Sequence, residues 1–345
     1  MKEYYSPSDF IKAPKFDAHI HYHTFDDLFV RKAKKTNMFL IAINTDFHFL
    51  TLDKQIEISQ FLHARYPETF NYICSFDATK FASKTFAEDT IEHIKKCMAT
   101  GARGVKIWKN IGMDFKNETE QYLMVDDPVF EPIFTFLEKE KIPLLAHLGE
   151  PRNCWLPIEL MTIDRDRGYF IKNPDFHMYL HPEVPSYEQQ IIARDNLLER
   201  YPEMIFVGAH LGSMEWNLEE VAKRLDRFSN FYIDVSERFH YIMKHTFENR
   251  NLVIDFFETY RNRILYGSDH LVSKYGRWKW LNYFPQVYMY LMRKYSYQIY
   301  KKHWLFFATD KVIKTKKMRI KGLKLQKDIV DCIFYKNIQS VYFNK

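Results

Sequence analysis

At 345 residues, 46% of them hydrophobic, the chain can bury one large core, with room for a barrel of typical size and roughly 70 residues more. Its net charge of +6 is modest for that length, and it has no run of about 18 apolar residues, so neither a nucleic-acid groove nor a membrane span is expected. The opening Met1-Lys2-Glu3-Tyr4-Tyr5 lacks the apolar stretch of a secretion signal, and Cys74, Cys97, Cys154 and Cys332 show no CxxC spacing, which points to reduced thiols in a cytoplasmic protein.

Eight short apolar runs follow one another at 16–20, 38–44, 71–76, 104–108, 142–147, 204–210, 231–235 and 264–267. Continuous apolar runs of this length read as strands buried on both faces. Between them lie helical patterns at 86–98 (apolar at Phe86, Ile91, Ile94 and Met98), 131–139, 187–201 and 218–228. Regular alternation of strand and helix predicts an α/β fold, a (β/α)8 TIM barrel whose active site lies at the carboxyl ends of the strands. In this reading residues 1–15 lead in and 16–275 form the barrel. The stretch 148–203 is a long lid-like insertion, and 276–345 form a helical C-terminal extension packed on the barrel. Leu325, Ile329 and Ile333 recur there at helical spacing, and the aromatic content of the extension suits core or a homo-oligomer contact.

Chemistry-bearing residues end several of these runs. His19-Ile20-His21 closes the first, and residues two apart on a strand point the same way, so the two imidazoles form half of a divalent metal site. His147 ends the fifth run, His210 the sixth, and Asp269 follows the eighth. A buried histidine at a strand end is often only hydrogen-bonded to backbone, and Asp269 has the place of a helix cap. The recurrence of such residues at one end of four strands argues instead for one shared site. Basic clusters at 31–35 and 314–327 read as solvated surface.

The set His19-x-His21, His147, His210 and Asp269 resembles the amidohydrolase superfamily, in particular its amidohydrolase-2 branch of metal-dependent hydrolases, lactonases and non-oxidative decarboxylases such as aminocarboxymuconate-semialdehyde decarboxylase. Gly104-Val105-Lys106-Ile107, Gly208-Ala209-His210-Leu211-Gly212 and Tyr266-Gly267-Ser268-Asp269 resemble that branch's motifs, and the tail from Gly322 to Asn337 resembles its closing helix. The resemblance implies one divalent ion, zinc ahead of manganese, held by His19, His21, His147 and Asp269. A metal lowers the pKa of bound water toward roughly 7. Asp269 would then be both ligand and proton acceptor. His210 would orient the water, polarise the substrate oxygen, or bind a second metal.

Lys106 has two readings. In some amidohydrolases the strand-four lysine is carboxylated and bridges two metals, the one case in which a second ion is expected here. In the branch this chain resembles more closely, an unmodified Lys106 would meet an anionic small-molecule substrate as a positive charge. Trp108, Arg152, Glu215 and Arg238 follow strand ends and are further candidates for substrate contact, with Arg152 gripping a carboxylate. The expected reaction is attack of metal-bound hydroxide on the carbonyl of a small polar lactone or amide. The alternative is decarboxylation or hydration of an unsaturated carboxylic acid. A TatD-like phosphodiesterase fits less well, because that family has a glutamate on strand four where this chain has Gly104-Val105-Lys106. A barrel that keeps metal only for structure is the remaining alternative.

Overall fold

The computed structural model describes residues 3–46, 50–273, 285–315 and 318–344. Nine parallel strands form one sheet: β1 (Lys15–His23), β2 (Met38–Ile43), β3 (Phe70–Ser75), β4 (Ala102–Ile107), β5 (Leu144–Ala146), β6 (Phe206–Gly208), β7 (Phe231–Asp234), β8 (Ile264–Leu265) and β9 (His270–Ser273). They lie side by side in the order β8-β7-β6-β5-β4-β3-β2-β1-β9. Each of the eight apolar runs contains a strand. Both faces of these strands are covered, as for β3, buried along its whole length. That burial is why the runs read as continuous and not alternating.

The sheet curls into a TIM-like barrel whose eighth strand is broken. β8 pairs with β7. Past it, the Ala18 N–H donates to the Tyr266 carbonyl at 3.0 Å and the Asp269 N–H to the His19 carbonyl at 2.7 Å. β9 then runs parallel to β1 with Ile20 opposite His270. Gly267 permits the junction: a Cβ there would stand 2.5 Å from the His19 Cβ.

Helices α1 (Leu28–Lys35), α2 (Leu52–Arg65), α3 (Phe86–Ala99) and α4 (Glu131–Lys139) follow the first four strands, and α3 and α4 match their patterns within two residues. In the 148–203 stretch, short turns and α5 (Asp164–Lys172) enclose a small core of Cys154, Met161, Phe170 and Met178. α6 (Tyr187–Arg200), opened by a Ser186–Gln189 capping box, then returns the chain to the sheet. α7 (Leu218–Arg227), α8 (Phe239–Glu248) and α9 (Arg250–Thr259) complete the circuit.

The C-terminal region holds α10 (Pro285–Ala308), α11 (Lys327–Asp331), a π-helical turn Cys332–Lys336 and α12 (Asn337–Tyr342). It is not wholly helical. An antiparallel ribbon pairs β10 (Val312–Lys314) with β11 (Arg319–Lys321), each strand turning one residue inward, Ile313 and Ile320. That period of two is strand patterning on too short a scale to show against neighbouring lysines. Leu325, Ile329 and Ile333 are all buried, although Leu325 precedes its helix. The expected boundary at 275–276 and Trp278 lie outside the described residues. Ile338, Val341 and Tyr342 of α12 pack with Phe16, Ile41, Ile73, Leu145, Val207 and Leu265 in one core cluster. Among the described residues no helix is long and apolar enough to cross a membrane.

Candidate metal centre

The carboxyl ends of the strands bring the predicted residues together. The ligand-capable atoms of His19, His210 and Asp269 lie within 4.8 Å of one another. His21 Nε2 is 3.1 Å from Asp269 Oδ1 and His19 Nε2 is 3.4 Å from the same oxygen. His147 Nδ1 lies 3.3 Å from His210 Nε2. The tight group thus contains His210, which the resemblance placed on the substrate side, with His21 and His147 at its edges. His21 and Asp269 keep 21% and 23% of their side chains exposed, so the cluster opens on their side.

Backbone geometry aims these groups. His210, Leu211, Ser213 and Asp269 all have φ between 58° and 61°. Left-handed backbone costs a non-glycine residue about 1–2 kcal/mol, and such strain concentrates at functional sites. At Gly208 a Cβ would meet the Phe231 ring at 2.7 Å, so the turn carrying His210 is pressed close against β7.

Asp234, the last residue of β7, fixes the imidazoles. Its Oδ2 is 2.7 Å from His19 Nδ1, and its Oδ1 accepts the His210 N–H at 2.8 Å and the Ser236 N–H at 3.0 Å. Burial works to raise this carboxyl, but contact with His19 prevails and holds it well below the usual carboxylate range. An ionised carboxylate only accepts, so His19 carries its proton on Nδ1 and presents a lone pair at Nε2. His210 Nδ1 lies 3.0 Å from the Ser236 carbonyl, which likewise only accepts, so His210 Nε2 also presents a lone pair. His147 meets that lone pair as the N–H donor at Nδ1. Its own Nε2 is left buried, with no hydrogen-bond partner among the described residues.

Burial keeps these imidazoles neutral: His19 and His147 are lowered and His210 falls to about 3. For Asp269 burial raises the carboxyl, but the surrounding imidazoles, His21 first, overrule it and keep it ionised. Neutral imidazole nitrogens and an ionised carboxylate facing one space form the donor set of a divalent cation, and the orphaned His147 nitrogen fits the same purpose. The residues present fit a metal ion.

Cations surround the cluster. Lys106 is 1% exposed, and its Nζ has no hydrogen-bond partner among the described residues. Burial brings its ammonium down to about 8, against the pull of Asp234 and Asp269. Arg238 is buried with its Nε 3.8 Å from Glu215 Oε2. Glu215 is fully buried, pushed up to about 7 by desolvation, and accepts the Arg152 N–H at 3.1 Å. The Arg152 guanidinium stacks 4.1 Å over Trp216. Trp108 lines a narrow cleft with Lys106. That cleft shares Asp46 and Phe76 with a cavity of about 520 Å³ over the ends of β2 and β3, which does not contain the His/Asp cluster. His19, His21, His147, His210 and Asp269 are thus brought together, while Arg152 and Glu215 are tied to Arg238 and Trp108 shares a cleft with Lys106. Asp234 and Ser236 were missed, although Asp234 lies at the end of an apolar run just as His147 and His210 do.

The family model described as Amidohydrolase matches residues 81–343. No curated protein matches the chain. Among solved structures, a 2,6-dihydroxybenzoate decarboxylase from Rhizobium is similar at 14% identity and a TM-score of 0.54, covering 95% of this chain and 98% of the other. A dihydroxybenzoic acid decarboxylase from Polaromonas, with bound manganese and an inhibitor, is similar at 12% identity and a TM-score of 0.51, covering 95% and 96%. A structure described as amidohydrolase II is similar at 16% identity and a TM-score of 0.50, covering 96% and 100%. At such identities the likeness is one of fold.

Proposed function

From its place in the amidohydrolase family, to which this chain belongs, we propose that the protein is a metal-dependent hydrolase of small anionic carbonyl compounds, lactones or amides. One observation carries the reading. The ligand-capable atoms of His19, His210 and Asp269 lie within 4.8 Å of one another, and Lys106 is buried beside them without a hydrogen-bond partner among the described residues. His19, His21, His147 and Asp269 would hold the ion, with zinc as the metal best suited to imidazole and carboxylate donors. When bound, a divalent ion polarises a carbonyl and makes water acidic enough to react near neutral pH.

The protein's own groups do the rest. Asp234 keeps the His19 lone pair directed at the centre. Asp269 is ionised and reaches the open side, so its free oxygen takes up a proton during the reaction and returns it to the leaving group. His210, held by the Ser236 carbonyl, accepts the His147 N–H and so keeps the His147 Nε2 proton-free. Lys106 has no anion of its own, so a substrate carboxylate supplies the missing partner, a charge pairing strengthened by burial. Arg152 and Arg238 flank it, with Glu215 keeping both in place.

The unpaired Lys106 also favours a second reading. A carboxylate held beside the cluster is placed for loss of CO2, so decarboxylation of the same class of acid is the alternative. A pH-stat assay of small carboxylated lactones and amides, run beside a CO2-release assay, separates the two. Metal-dependent acid release without CO2 supports the hydrolase. Metal-dependent CO2 release would replace it with the lyase.

A further inference from the structure

The outer face of the insertion carries apolar surface that its own fold does not use. We propose that this face is the contact surface between two copies of the chain, joined about a twofold axis. Leu160, Tyr169, Ile171, Phe176, Tyr179 and Leu180 are each between 48% and 61% exposed. They sit on elements that pack against one another. α5 packs on the turns Ile158–Leu160 and Pro174–Phe176, and the latter packs on Met178–Leu180. Tyr169 and Phe176 have ring centroids 6.5 Å apart, and Tyr179 stacks at 5.7 Å on His177, itself stacked on Phe170.

The area suits a second copy. Six large side chains about half exposed present on the order of 600 Å² of apolar surface, at the top of what a monomer leaves uncovered. A stable interface needs roughly 800 Å² per partner, a figure reached once the polar rim is added.

Two further features point the same way. Gly168 lies in the middle of α5, where glycine weakens a helix, yet a Cβ there would meet nothing within 4 Å. Nothing in the chain itself requires glycine at that point, and the open space leaves room for a partner's backbone to approach α5. On the rim, Lys172 and Asp175 are exposed, and neither side chain makes a hydrogen bond or ion pair among the described residues. In a twofold contact residue i meets j while j meets i, so each lysine pairs with the other copy's aspartate. An anionic bilayer is a poorer occupant, since 148–186 holds six acidic and four basic residues.

The face is also tied to its own fold from behind. On its inner side Asp166 accepts the Asn153 amide at 2.9 Å and the Tyr241 hydroxyl, and Arg165 pairs with Glu237. Little order remains to be bought by association. Because Arg152 belongs to the same insertion, a copy seated on its outside holds the substrate side of the centre steady.

Analytical ultracentrifugation of the full chain from roughly 1 to 100 µM tests this, with circular dichroism as the folding control. The wild type should be a dimer. Gly168→Arg and Phe176→Glu should each raise the dissociation constant tenfold or more without changing the spectrum. Lys172→Glu should weaken the dimer, and Lys172→Glu combined with Asp175→Lys should restore it. A monomer throughout the range, a dimer indifferent to Gly168→Arg, or a double reversal that restores nothing would each overturn the proposal. So would a wild-type monomer that pellets with phosphatidylserine vesicles.

Discussion

Replacing Asp234 with asparagine changes charge but not shape, and its consequence follows from the hydrogen bonds around one carboxylate. Oδ1 accepts the His210 N–H, the Ser236 N–H and the Ser236 hydroxyl, while Oδ2 faces His19 Nδ1 alone. An amide has one acceptor end, and three donors outvote one, so the asparagine oxygen takes the Oδ1 position and its NH2 faces His19. The NH2 then favours a His19 that accepts at Nδ1 and carries its proton on Nε2, against the Ser236 Oγ 3.1 Å from the same nitrogen, which can still accept. That tautomer would present an N–H to the metal position where the wild type presents a lone pair. Loss of such an orienting partner typically weakens metal binding 10- to 100-fold, about 1.4–2.8 kcal/mol, and the wrong tautomer puts this variant at the upper end. Competition against a chromophoric chelator, with zinc and then manganese at neutral pH, measures the change, and a thermal melt checks the fold. A folded Asp234→Asn protein that binds both metals within roughly twofold of wild type would refute the tautomer argument.

Three other perturbations follow from single residues. Lys106→Met should stabilise the protein at neutral pH while raising KM for anionic substrates. Burial lowers this amine from 10.5 to about 8, so a penalty of about 3 kcal/mol applies below pH 8, where both states are charged, fades toward 10.5 and is absent above it. Urea titrations at pH 7 and pH 10.5 should show the gain at the first pH and little at the second, and an equal gain at both would contradict the assignment. Gly267→Ala should cost ~1–3 kcal/mol and weaken metal binding together, because its Cβ would stand 2.5 Å from the His19 Cβ and 3.2 Å from the Ser236 Cβ. An unchanged melting temperature, with and without metal, would show the junction to be looser than described. Arg152→Ala should raise KM for a carboxylated substrate about tenfold with kcat little changed, and a pure kcat effect would remove Arg152 from the binding role.

The barrel strands were legible because each is buried on both faces, so burial alone wrote them into the sequence as apolar runs. His19, His147, His210 and Asp269 were legible because each stands at or just beyond the end of such a run, where a side chain leaves the core and enters the site. Asp234 shares that position in Phe231-Tyr232-Ile233-Asp234 and was overlooked. A lone carboxylate after a strand looks like a cap until its partner across the barrel is known. Ser236 acts through its backbone carbonyl as well as its hydroxyl, a role no residue type announces. The break between β8 and β9 was hidden too, since it depends on how closely Gly267 approaches His19 and not on local propensity. The β10–β11 ribbon escaped because it buries one residue per strand. The unpaired state of Lys106 could not be read from its type, which had left a carboxylated bridge and a substrate contact open.

The central claim is that the His/Asp cluster holds one divalent ion. Elemental analysis of protein purified without added metal, then titrated with zinc or manganese, measures it most directly. The account predicts about one ion per chain for the wild type and almost none for a folded protein carrying His19→Ala and His21→Ala. No ion bound at any concentration, or the same stoichiometry in the double variant, would contradict it.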